Sequence, residues 1–80
     1  MAITAAELKV LGGPLAPGAY EVWAFLMRNQ NGSGLTVDHI ARKLKLNYMT
    51  VYLRLGGSMG NGYVQRDNGR PAKYYAVVPS

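Results

Sequence analysis

Seven basic residues, Arg42, Lys43, Lys45, Arg54, Arg66, Arg70 and Lys73, stand in residues 40–80 of this 80-residue chain against Asp67 alone, a net +6. Residues 1–39 hold Lys9 and Arg28 against Glu7, Glu21 and Asp38, a net −1. Cations crowded into one half of a small domain suit a polyanion, either nucleic acid or an anionic membrane surface; the plainer reading is charge that keeps the chain soluble. Catalysis lacks its parts. One histidine, no cysteine and four scattered carboxylates form no base-plus-nucleophile set, so no enzyme is expected. His39 has only Asp38 beside it and no thiolate near, so neither a metal site nor a cofactor is expected. Gly32-Ser33-Gly34 follows a helical segment and lacks the lysine of a phosphate loop, and no small-molecule substrate is evident.

A membrane role fits poorly. The apolar runs fall short of the roughly 20 residues a span needs, and the basic residues are divided among several segments rather than gathered on one amphipathic helix. The first residues, Met-Ala-Ile-Thr, lack the basic and apolar regions of a signal peptide. The length suits one small domain over residues 1–80, expected to be cytoplasmic.

The elements that position the basic residues are legible from caps and periodicity. Thr4 with Glu7 forms a capping box that opens a short helix over residues 4–11, ended by Gly12-Gly13-Pro14. A second helix runs from about Pro17 to Asn31, with Pro17 in its first turn and Asn31-Gly32-Ser33-Gly34 as its terminator. It is apolar nearly all round, so it is either a central core helix or one whose second face meets another copy. Thr36 caps a third helix on which Val37, Ile40, Ala41 and Leu44 share a face, with Asp38 at its start and Arg42 and Lys43 at its end. Lys45-Leu46-Asn47 is a tight turn. Asn47 caps a fourth helix from Tyr48 to about Ser58, and Tyr48, Val51, Leu55 and Ser58 or Met59 are expected to line its inner face. Residues 63–66 and 72–78 read as strands joined through Asp67-Asn68-Gly69-Arg70-Pro71, where Asn68-Gly69 is a hairpin signal and Pro71 belongs at the strand start or in the loop. One of Tyr74 and Tyr75 is expected in the core and the other at the edge. Trp23, Phe25 and Tyr20 are expected to be core residues.

Two helices joined by a three-residue turn over residues 35–58 are a helix-turn-helix pattern, and the hairpin over 63–78 completes it. The run Ile40-Ala41, Leu44-Lys45-Leu46-Asn47-Tyr48-Met49-Thr50-Val51-Tyr52-Leu53-Arg54-Leu55 and Gly62-Tyr63-Val64-Gln65-Arg66, followed by Gly69-Arg70-Pro71-Ala72-Lys73-Tyr74-Tyr75, resembles the winged helix-turn-helix regions of small bacterial and archaeal transcription regulators. The wing sequence is similar to that of the PadR-like and MarR-like branches. The resemblance implies an α+β winged helix-turn-helix fold: a three-helix core, an added N-terminal helix and a two-stranded wing. Ser58 stands where such proteins carry an apolar residue, so Met59 is expected to fill that space. Gly56, Gly57 and Gly60 are expected to fray or shorten the fourth helix. Met49 and Leu53 replace the Asn and Tyr that the Z-DNA-binding subclass carries, which argues against that subclass.

The resemblance implies duplex DNA as the partner, with helix 48–58 in the major groove and hairpin 66–73 on the backbone or in the minor groove. The candidate DNA-binding residues are then Thr36, Lys45, Asn47, Tyr48, Met49, Thr50, Tyr52, Leu53, Arg54, Arg66, Arg70 and Lys73. A module of this size buries modest surface on DNA, so a homodimer or a protein partner is expected, with the N-terminal helix and the open face of helix 17–31 as the dimer surfaces. Two apolar residues, Met49 and Leu53, on the DNA-facing side also admit another reading: a protein-docking module in a larger assembly, using Met49, Tyr52 and Leu53.

Overall fold

The computed structural model describes residues 4–29 and 34–78. Four helices, α1 (Ala5–Leu11), α2 (Pro17–Asn29), α3 (Val37–Leu44) and α4 (Tyr48–Gly60), precede an antiparallel hairpin of β1 (Val64–Arg66) and β2 (Tyr74–Ala76). This is the winged helix-turn-helix arrangement with an added N-terminal helix. The expected terminator Asn31-Gly32-Ser33 lies outside the described residues.

The helix starts follow their caps. The Thr4 hydroxyl accepts the Glu7 N–H at 3.1 Å while the Glu7 carboxylate accepts the Thr4 N–H, the reciprocal pair of a capping box. The Thr36 hydroxyl accepts the His39 N–H at 3.2 Å, and the Asn47 side-chain carbonyl accepts the Thr50 N–H at 2.8 Å. Between α3 and α4 the chain turns through Lys45 in the left-handed conformation, φ 57°, with the Leu46 N–H returning to the Ala41 carbonyl.

Val22, Trp23 and Leu26 of α2, Ile40 of α3, and Val51 and Leu55 of α4 are fully buried and form the centre of the core. Leu8 of α1 and Tyr74 and Ala76 of β2 close it from two sides. The Trp23 indole donates to the Val77 carbonyl at 3.1 Å and meets the Tyr63 ring edge-on at 5.6 Å, which fastens the end of the hairpin to α2. The second face of α2 is only half-covered: Ala24, Phe25 and Met27 are partly buried.

Several expectations are corrected. On α4, Tyr48 and Met59 are exposed, and Ser58, fully buried, takes the inner position. The Ser58 hydroxyl lies 3.3 Å from both the Ala19 carbonyl of α2 and the Arg54 carbonyl one turn back, so it donates its one proton inside the core. A small residue is wanted there because α2 approaches at Ala19. The glycines neither fray nor shorten α4, which continues to Gly60. Its end is tied by the Tyr63 N–H to the Ser58 carbonyl at 2.9 Å, and burial of Leu55 and Ser58 outweighs weak propensity.

Both strands are three residues long, shorter than expected, although single hydrogen bonds, Asp67 N–H to Lys73 and Val77 N–H to Tyr63, continue the same register at both ends. Asn68-Gly69 does not make a two-residue turn. Neither residue has the positive φ such a turn needs, and the Asp67 carboxylate instead accepts the Gly69 and Lys73 N–H groups at 3.1 and 2.8 Å, closing a loop over residues 67–73 with Pro71 inside it.

The sheet also gains an edge. Leu35 pairs with Tyr74 through two hydrogen bonds of 2.8 and 2.7 Å. Gly34 makes this approach possible: its φ is +75°, and a Cβ there would lie 2.7 Å from the Tyr74 carbonyl oxygen.

Candidate nucleic-acid interface

The helix-turn-helix sets α4 across the molecule so that Val51, Leu55 and Ser58 face inward and the opposite side faces solvent. That outer side carries Met49 and Leu53, 58% and 68% exposed, one turn apart, followed by Gly56, Gly57 and Gly60. A Cβ added at any of these three glycines would meet nothing within 4 Å, so no packing inside the fold calls for glycine there. Tyr48 and Tyr52 lie beside this strip, 56% and 49% exposed, with their rings edge-to-face at 6.5 Å. Thr50 is half-buried and Asn47 is exposed, its side-chain oxygen occupied by the cap.

One cleft of about 400 Å³ brings together four of the twelve expected residues, Thr36, Tyr48, Tyr52 and Arg66; Met49, Leu53 and the other expected cations lie outside its lining. The N-terminus of α3 at Thr36 and Asp38 forms one border, Tyr48 and Tyr52 of α4 a second, and Arg66, Pro71 and Tyr74 of the hairpin a third. The α3–α4 pair and the hairpin therefore flank a common surface, held at that spacing by the Leu35–Tyr74 pairing immediately before Thr36.

Arg66 is the one cation in the lining of this cleft, which Asp38 shares. Lys45, exposed, sits in the turn before α4; Arg66 borders the cleft, and Arg70 and Lys73 are exposed on the loop beyond it. Two hydrogen bonds to the Asp67 carboxylate hold that loop, and the Lys73 N–H is the chief reason the Asp67 carboxyl titrates below its ordinary value, followed by the Gly69 N–H. On the far side of the hairpin the Tyr75 hydroxyl donates to Gln65 at 2.9 Å; Tyr74 is the core member of the tyrosine pair and Tyr75 is half-buried.

Arg54 departs from the set. It is half-buried and its guanidinium lies 3.4 Å from the Glu21 carboxylate of α2. Gly18 of α2 makes room for it, since a Cβ there would come within 2.8 Å of the Arg54 Nε. Glu21 and Gly18 lie far away in sequence, and the signal that was available, a glycine early in an otherwise apolar helix, did not identify its partner. Arg42, farther along α3, pairs with Asp38 at 3.5 Å, both side chains largely exposed.

Among the described residues no group of three or more His, Asp or Glu is placed to hold a metal ion, and no helix is long and apolar enough to cross a membrane. A surface bearing apolar and phenolic groups on one helix, bordered by cations on a turn and a hairpin, can meet a groove between two rows of anions. The sequence pattern of the family described as "Sugar-specific transcriptional regulator TrmB" matches residues 19–80. No curated protein and no solved structure gives a significant match.

Proposed function

The chain belongs to the TrmB family of transcriptional regulators, whose matching region is a DNA-binding transcription regulator domain, and from that premise we propose how this domain engages duplex DNA. The family bears out the resemblance of residues 35–78 to winged helix-turn-helix regulators and does not favour the protein-docking alternative. Helix α4 enters the major groove with Met49, Leu53, Tyr48, Tyr52 and Thr50 toward the bases. Thr36, Lys45 and Asn47, at the two helix starts and the turn, meet one phosphate row. Arg66, Arg70 and Lys73 of the hairpin meet the next, with Arg70 at the backbone or minor groove. Arg54 serves chiefly to hold α4 on α2. The single observation that best supports this reading is the shared cleft between the α3–α4 pair and the hairpin, lined by Tyr48, Tyr52 and Arg66.

The domain acts by binding rather than by catalysis, in the cytoplasm and on the nucleoid. Residues 1–80 act as one domain, α1 included, and function as a homodimer through α1 and the half-covered face of α2. Sedimentation at high micromolar concentration, with and without DNA, measures the last point; a monomer in both counts against it.

Fluorescence anisotropy with a labelled random duplex of about three helical turns, titrated across a salt series, tests the central reading. About four phosphates neutralised, by Lys45, Arg66, Arg70 and Lys73, give a log–log slope near −3.6. Arg66→Glu with Arg70→Glu abolishes binding while leaving thermal stability near that of the parent. A flat salt response sinks the assignment of the basic margins to phosphates.

A further inference from the structure

The DNA-binding reading leaves open how a base is told from its neighbours, and α4 narrows the choice. Its single charged side chain, Arg54, is turned against Glu21 and Gly18 and lies off the outer strip. Asn47, the one amide at its start, already caps the helix with its oxygen. The strip therefore lacks the side chains that pair with base edges by bidentate hydrogen bonds: arginine or lysine on guanine, asparagine or glutamine on adenine. It offers a thioether and an isobutyl group at Met49 and Leu53, the most exposed large apolar residues on α4. Below Leu53 the glycines leave a bare backbone, so Met49 and Leu53 are the highest points of the strip.

The major groove presents one apolar feature, the C5-methyl group of thymine, shared only by 5-methylcytosine. We propose that Met49 and Leu53 read thymine methyl groups, so that this domain selects duplexes with thymines beneath α4. The inference rests on the DNA-binding reading above. Charge complementarity commits the strip to DNA: Lys45 stands in the turn before α4 and Arg66 shares a cleft with Tyr48 and Tyr52 beside the strip, so cations adjoin the apolar side chains as phosphates adjoin the methyl groups. An apolar protein surface would have to bring its own acidic border.

The test begins with a duplex that the full chain selects from a randomised pool. That duplex is then resynthesised with deoxyuridine in place of thymidine, which removes the methyl groups and nothing else. Binding is measured by anisotropy, the duplexes being compared at one low salt concentration and the slope taken from a salt series. Loss of each buried methyl weakens binding by about fourfold, and loss of two by about fifteenfold. Restoring a methyl at the same position as 5-methylcytosine in a C·G pair recovers part of that contact relative to unmethylated cytosine. Met49→Ala with Leu53→Ala, both exposed and helix-favouring, keeps the fold and the salt slope but binds the thymine and uracil duplexes equally.

Equal affinity of the parent for the two duplexes, with a steep salt slope, overturns the methyl reading and leaves DNA binding standing. A thymine preference that persists in the double variant overturns it too, because the methyls are then sensed elsewhere. No selectable or bound duplex at low salt overturns both.

Discussion

Replacing Gly56 and Gly57 together by alanine stabilises the fold and weakens DNA binding, two changes of opposite sign from one substitution. Both residues lie inside α4, and a Cβ at either meets nothing within 4 Å. An unobstructed Gly→Ala exchange in a helix interior gains about 0.5–1 kcal/mol per site. The pair therefore gains about 1–2 kcal/mol, which raises the Tm of a domain this small by roughly 5–15 °C. Thermal unfolding followed by far-ultraviolet circular dichroism reads the shift, and urea titration with an unchanged m-value confirms that it is native stability. On the proposed DNA face the two new methyl groups stand where the backbone approaches the duplex, so affinity falls. Gly12 supplies the contrast within the same chain: a Cβ there would lie 2.7 Å from both the Trp23 and Tyr20 rings, and Gly12→Ala costs about 1–3 kcal/mol through overpacking. An unchanged or lowered Tm in the Gly56–Gly57 variant refutes the reasoning, since either the helix ends before Gly57 in solution or its outer face is already covered.

Lys45→Gly relieves the left-handed φ of 57°, gaining about 1 kcal/mol, while removing one phosphate contact and reducing the steepness of the salt slope by about one unit; thermal melts and anisotropy separate the two effects. Ser58→Ala costs about 1 kcal/mol for the lost core hydrogen bond, whereas Ser58→Leu, forced against Ala19, costs about 1–3 kcal/mol or more; urea denaturation ranks them. Asp67 has a folded pKa below its ordinary 3.8, so the support it gives the hairpin is complete above that value and is lost as pH falls through the depressed folded pKa. A carboxyl carbon NMR titration should place the Asp67 midpoint below 3.8, and in Asp67→Ala the Gly69 and Lys73 amides should exchange faster.

The local parts of the fold were legible because their causes are local. Thr4, Thr36 and Asn47 cap the helices they were expected to cap, as each is a polar residue immediately before an apolar-periodic run. What escaped the sequence depends on partners far along the chain. Leu35 stands alone between Gly34 and the Thr36 cap of α3, too short a stretch to read as a strand, and the Gly34 backbone lets it reach Tyr74. Arg54 belongs to the outer flank of α4 by angle alone, yet Glu21, 33 residues away, draws it to α2. Ser58 looked like a defect on an apolar face until Ala19 supplied a carbonyl for its hydroxyl. Asn68-Gly69 carries a strong turn signal, and the neighbouring Asp67 side chain, with Pro71 unable to donate, imposes a wider loop. For the candidate interface, the residues of α3, α4 and the hairpin were nameable in advance; that Thr36, Tyr48, Tyr52 and Arg66 border one cleft, while Met49 and Leu53 lie outside it, is a property of the tertiary arrangement.

The chain holds one tryptophan, and its place gives the molecule a built-in optical gauge. The Trp23 indole is sealed from water, bonded to the Val77 carbonyl and faced by Tyr63. Its emission colour therefore registers loss of that cover, which the residues around the hairpin share with Tyr20 and the Gly12 end of α1. Helical ellipticity follows the rest of the domain. If the two signals melt together, the wing is part of a single cooperative unit; if the indole reddens first, its cover opens, at the wing or at the Gly12 end of α1, while the helices persist. The cover of that indole can thus be watched in the unlabelled protein, at the root of the arm proposed to grip DNA.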